Sequence, residues 1–112
     1  MQVLILKLGE KQYTTGRASA FLARKSLELS QKSVELAKKA KDMGEQGNDL
    51  EVIGDLMQQM IDINNVKAWL ICAIYGDKFT IEELENALTA EEINAEVNRI
   101  SRAIMGVIPK NV

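Results

Sequence analysis

Histidine is absent from this chain of 112 residues, and cysteine and proline occur once each. Without an imidazole, His-based general acid/base catalysis, Ser-His and Cys-His nucleophile pairs and Cys/His zinc sites are excluded together. The lone Cys72 has no partner for an internal disulfide. Set in the apolar run 68–74, it reads as a small core residue of a reducing compartment. Aromatic residues make up only 4% of the chain, and no apolar stretch approaches the roughly 20 residues that cross a bilayer. Met1-Gln2-Val3 shows neither a basic leader nor a cleavage-like signal, so the expected location is the cytoplasm, without a membrane partner. The seven glycines are scattered and none belongs to a phosphate loop, so nucleotide binding is not supported. What the chain does have is 46% apolar and 27% charged residues, with no long polar tract. That composition fits one compact domain over 1–112 and not a disordered segment.

A net charge of −2 conceals an asymmetry. Residues 17–42 carry seven basic and three acidic side chains, whereas 45–102 carry twelve acidic and four basic ones. The two halves therefore attract each other, within one molecule or between copies, unless they are simply two solvated helix faces.

Val3 to Leu8 reads as an aliphatic strand, Gly9-Glu10 as a two-residue turn with glycine in its first central place, and Lys11-Gln12-Tyr13-Thr14 as the returning strand. A lone hairpin is marginal in water, so this one, assigned to 1–15, must cover helices or pair with another chain. Residues 17–43 have the composition of a long basic helix, ended by Gly44. Its apolar positions fall in two stripes, one through Ala18, Leu22, Leu29 and Leu36 and one through Ala23, Leu27, Val34 and Ala37. Together they span roughly 220°, about twice what one-sided packing needs. A core helix is expected over 49–75, capped by Asn48, with Trp69 and Tyr75 anchoring its nearly uncharged end, where Lys67 is the single charge. Gly76-Asp77 stops it. Thr80-Ile81-Glu82-Glu83 and Thr89-Ala90-Glu91-Glu92 are capping boxes, the first with a Phe79–Leu84 staple, and they open a C-terminal helix pair over 81–108 that Pro109 ends. The fold expected is mainly α: a small bundle of three to four helices with a short N-terminal β-hairpin.

Six carboxylates crowd Glu82, Glu83, Glu85, Glu91, Glu92 and Glu96. Paired carboxylates can serve hydrolysis or hold a divalent cation, but acidic residues in a first helical turn complement the helix dipole, which is the plainer reading. No metal site or catalytic residue is therefore assigned. Residues 79–105 have the outline of a helix-turn-helix with Arg99 and Arg102 available for phosphates, yet the net charge there would repel a nucleic-acid backbone. A nucleic-acid-binding module stays the alternative. Met57 and Met60, one turn apart, offer either a plastic binding surface or, more plainly, core filler.

The run Val66-Lys67-Ala68-Trp69-Leu70-Ile71-Cys72-Ala73-Ile74-Tyr75-Gly76-Asp77-Lys78-Phe79-Thr80-Ile81-Glu82-Glu83-Leu84, preceded by a strand pair, a basic helix and an acidic middle, resembles the tail assembly chaperones of long-tailed siphophages. The resemblance implies a small helical protein, without enzymatic activity or cofactor, that self-associates as a homo-oligomer. It would coat the tape measure protein until tail tube protein polymerises around it, and would be absent from the finished virion. A structural tail or connector subunit retained in the virion is a further alternative. The mechanism expected from the residues is helix-in-groove capture by aliphatic grooves of the first two helices, with Leu22, Leu29, Leu36, Met57 and Met60 as the partner-binding or oligomer candidates.

Overall fold

The computed structural model describes residues 3–46 and 49–106. Two strands, β1 (Ile5–Leu8) and β2 (Lys11–Thr14), precede four helices: α1 (Ala20–Gln46), α2 (Leu50–Ile74), α3 (Ile81–Ala87) and α4 (Ala90–Met105). The protein is a mainly α domain with an N-terminal hairpin.

The hairpin is antiparallel, with Leu8 opposite Lys11 and Leu6 opposite Tyr13. Gly9 adopts φ +62° at the first central position, the backbone sign that a type II′ turn requires and that glycine takes without steric cost. Leu4 and Leu6 alternate inward and are buried, while Val3 and Ile5 face solvent. Leu4 is locked to Thr15 in both directions: its amide donates to the Thr15 hydroxyl at 2.9 Å, and its carbonyl accepts from the Thr15 amide at 3.0 Å. Edge-to-face packing of Tyr13 on Phe79, 4.8 Å between ring centres, fixes the hairpin to the turn after α2.

Helix α1 begins three residues later than composition suggests because Ser19 caps it, its hydroxyl accepting from the Leu22 amide at 3.2 Å. It also runs through Gly44 to Gln46, since one glycine costs a helix only about 1 kcal/mol. The cap of α2 is Asp49, whose carboxylate accepts from the Glu51 amide at 3.0 Å, and not Asn48, which lies outside the described residues. At its end the Gly76 amide bonds the Ala73 carbonyl and the Asp77 amide bonds the Cys72 carbonyl. Gly76 and Asp77 both have positive φ, and together these features make a Schellman stop. Both capping boxes form, Thr80 with Glu83 and Thr89 with Glu92. Helix α4 ends at Gly106, left-handed at φ 68°. The stop expected at Pro109 lies outside the described residues.

The core lies where the C-terminal half of α2 meets α1, α3, α4 and the hairpin, around Leu29, Leu70, Ile71, Tyr75, Leu84 and Ile100. Phe79 and Leu84, the two residues of the expected staple, are both in it. Cys72 is buried there as well. Trp69 does not anchor it: this ring is 37% exposed and packs edge-on against Phe21 at 6.1 Å. At 100° per residue, Trp69 points away from the face that carries Leu70 and Ile74.

Candidate functional site

Helices α1 and α2 pack against each other, and α4 packs against both. Between the three is an open cleft of about 510 Å³. Leu36, Ala37 and Ala40 form its α1 wall, Met60 and Ile63 its α2 wall, and Ile93 of α4 closes it. These positions share a face because they recur at intervals of three and four residues, the spacing that stacks side chains on one side of a helix. Lys67 and Asn94 stand at one part of the cleft, and Glu85 of α3 also lines it. A smaller depression of about 380 Å³ adjoins, lined by Leu29, Ser30, Val34, Lys67, Asn94 and Asn98.

Of the five residues expected to meet a partner, the structure brings Leu36 and Met60 together on opposite walls of this cleft. Met57 lies one turn before Met60. Both methionines are well exposed, at 60% and 52%, so the plainer reading of them as core filler is corrected. Leu29 is 2% exposed and belongs to the core, reaching only the floor of the adjoining depression. Leu22 is half-buried and packs against the same core, away from the cleft. Ile63 and Ile93 were not among the residues expected to meet a partner. Their shared place in the cleft depends on how α4 crosses α2, which periodicity within one helix does not encode. Lys67 left a local signal, being the single charge in an apolar helix end.

The carboxylate-rich segment is structural where its geometry is fixed. Glu83 and Glu92 complete the capping boxes. Glu96 is buried, accepts from the Tyr75 hydroxyl at 2.6 Å and pairs with Arg99 at 2.7 Å. The same guanidinium nitrogen donates to the Ile5 carbonyl at 2.7 Å, so Arg99 joins α4 to the hairpin. The hydrogen bond to Glu96 is the largest influence holding the Arg99 pKa above its ordinary value. An arginine so engaged is not presented to a phosphate, which removes one of the two cations on which the helix-turn-helix reading relied. Among the described residues no group of three His, Cys, Asp or Glu side chains is placed to hold a metal ion, and no helix is long and apolar enough to cross a membrane.

Fold and surface thus define a small helical domain whose most developed feature is an apolar cleft between helices and not a centre of reactive side chains. A family model described as phage tail chaperone protein matches residues 2–111. The chain belongs to that family, in agreement with the resemblance carried by residues 66–84. Membership implies a tail protein as partner and a chaperone's binding role. No curated protein and no solved structure matches the chain.

Proposed function

We propose that this chaperone binds the tape measure protein of its phage in the cleft between α1, α2 and α4 and keeps it soluble until the tail tube assembles. The observation that carries the reading is the apolar cleft itself, with Leu36 on its α1 wall and Met60 and Ile63 on its α2 wall. An aliphatic groove of this kind suits an amphipathic helix laid in by its apolar face. Met60 in the wall suits it further, because a thioether side chain repacks around successive, non-identical segments of a long helical partner. Covering a Leu or Met side chain fully contributes about 1.5–3 kcal/mol. A few such contacts, less the ordering cost of association, give the reversible affinity that a chaperone displaced by tube subunits needs. The proposal includes several copies along one tape measure chain, action in the host cytoplasm, transient contact with tail tube protein, and absence from the finished particle.

The test is co-expression with the tape measure protein, followed by light-scattering chromatography. A large soluble complex is expected with the wild-type chain. Leu36→Asp and Met60→Asp, at half-buried and exposed positions, should leave the monomer folded and lose the complex. Leu29→Asp is unsuitable because it would unfold the core. A tape measure protein that precipitates equally with and without this chain would sink the reading, and recovery of the chain in purified virions would favour a structural tail subunit instead.

A further inference from the structure

The cleft is apolar along its walls but holds one cation among the described residues. Lys67 is half-buried where the main cleft meets the adjoining depression, and it lines both. Its ammonium donates to Asn94 Oδ1 at 2.8 Å. No carboxylate pairs with it within 4.0 Å among the described residues. An ammonium has three donors, and the other groups lining the two depressions near it, Asn64, Asn98, Ser30 and Ser33, are uncharged. Desolvation lowers the Lys67 pKa, as expected for a cation withdrawn from water without a counter-charge. In a chain with sixteen acidic residues, this lysine is left facing a cleft that an outside group can enter. Glu85 lines the main cleft but not the adjoining depression and forms no ion pair among the described residues. The cleft therefore carries opposite signs at two places.

We infer that Lys67 is the charge-reading residue of the cleft: it receives the carboxylate of an acidic residue flanking the apolar face of an amphipathic helix, while Glu85 faces a basic residue further along that helix and fixes its direction. The inference rests on the reading of the cleft as the tape measure site and adds to it the chemistry of the segment selected. Apolar contact alone would accept a helix in either direction. Two opposite charges accept one direction and reject the reverse, because mispaired like charges are penalised.

The test uses the full chain and fluorescent peptides of about 20 residues, long enough to span about 30 Å as helix, tiled across the tape measure protein. Binding is read by anisotropy. The peptides bound by wild type should share an acidic residue beside their apolar stripe. Lys67→Met should weaken them about tenfold, the scale of a partly desolvated charge pair. Lys67→Glu should weaken them further, and changing the peptide's acidic residue to lysine should restore binding to that variant. Asn94→Asp, which sets a carboxylate beside the ammonium without touching it, should weaken the same peptides, and circular dichroism should show each variant folded. Equal binding by wild type, Lys67→Met and Lys67→Glu would overturn the inference and leave the cleft reading standing. No binding of any peptide by wild type would remove both. Preferential binding of a peptide from residues 50–66 of this chain would give the cleft to a second copy and overturn the inference.

Discussion

Tyr75 and Cys72 show how single residues couple this fold to pH. Burial, and then the hydrogen bond to Glu96, hold the Tyr75 pKa far above its ordinary value of 10.0. Burial, with lesser repulsion from Asp77, pushes the Cys72 thiol from 9.0 up to about 11. Both groups are neutral when protonated, so in each case the native state keeps a proton that the unfolded chain gives up at lower pH. Between pH 9 and 11 the unfolded chain thus binds fewer protons than the native one, and stability falls as pH rises, by at most about 1.4 kcal/mol per pH unit for each group. The stabilisation is fully present below pH 9. Urea unfolding should give a midpoint that declines from pH 9 upward, and Cys72→Ala should flatten the decline between pH 9 and 10, before Tyr75 contributes. Parallel declines in wild type and variant would exclude the thiol as a source. The same burial predicts that Cys72 is chemically inert in the native protein, since a thiolate is the reactive form. That identity was readable from one cysteine in an apolar run. The Glu96–Tyr75–Arg99 cluster was not, because its members lie on two helices whose approach no local pattern specifies.

At the scale of elements, the parts legible in the sequence are those with local causes. Thr-x-x-Glu occurs twice, and both boxes form, because the two reciprocal hydrogen bonds need only four consecutive residues. The hairpin turn and the Gly76-Asp77 stop were equally local. Helix α3 has seven residues, too few to hold in isolation, so its start depends on Thr80 and on Phe79 and Leu84 in the core. Thr80→Ala and Thr89→Ala should each cost about 1 kcal/mol. The double variant should lose about the sum, since the two boxes share no hydrogen-bonded partner, and chemical denaturation of the three variants checks it. A strongly sub-additive double variant would mean that α3 and α4 fray as one unit. Boundaries set by competition were less legible. Asp49 caps α2 although the neighbouring Asn48 offers the same chemistry, and α4 stops at a left-handed glycine ahead of the proline that was expected to end it. Exposure was the least legible property. Trp69, Met57 and Met60 are side chains that normally fill cores, but Trp69 sits edge-on against Phe21 of α1 and Met60 lines the open cleft, facts about arrangement and not about composition.

For the whole molecule, the radius of gyration is 15.8 Å, where a compact chain of this length would have about 13 Å. Its accessible surface of 8030 Å² compares with about 6,200 Å² for a folded monomer of this mass. Burial along α2 is uneven. Its first half contributes one buried residue, Leu56, and its second half contributes Ala68, Leu70, Ile71, Cys72 and Ile74. The charge asymmetry between α1 and the acidic remainder does not hold the molecule together by direct pairs. The ion pairs among the described residues, Arg24–Glu28, Lys25–Glu28 and Glu96–Arg99, each lie within one helix, and exposed pairs of the first two kinds contribute little. Apolar contact is what joins α1 to α2, and along α2 it thins toward the N-terminal half. Local opening should follow the same gradient, because segments with few buried apolar contacts open at free energies well below the global value. Amide hydrogen exchange should therefore be slowest at residues 68–75 and fastest at the loop-proximal ends of α1 and α2, with Leu56 marking a modest interruption. On the proposed reading, a helical partner seated between Leu36 and Met60 would add the missing apolar contact, and saturating the chain with tape measure protein should then slow exchange most over residues 33–40 and 57–64 and least over 68–75. Uniform protection along α2 in the free chain would show that the two helices are held by something other than the contacts described. A partner-induced change confined to the hairpin would move the binding surface away from the cleft.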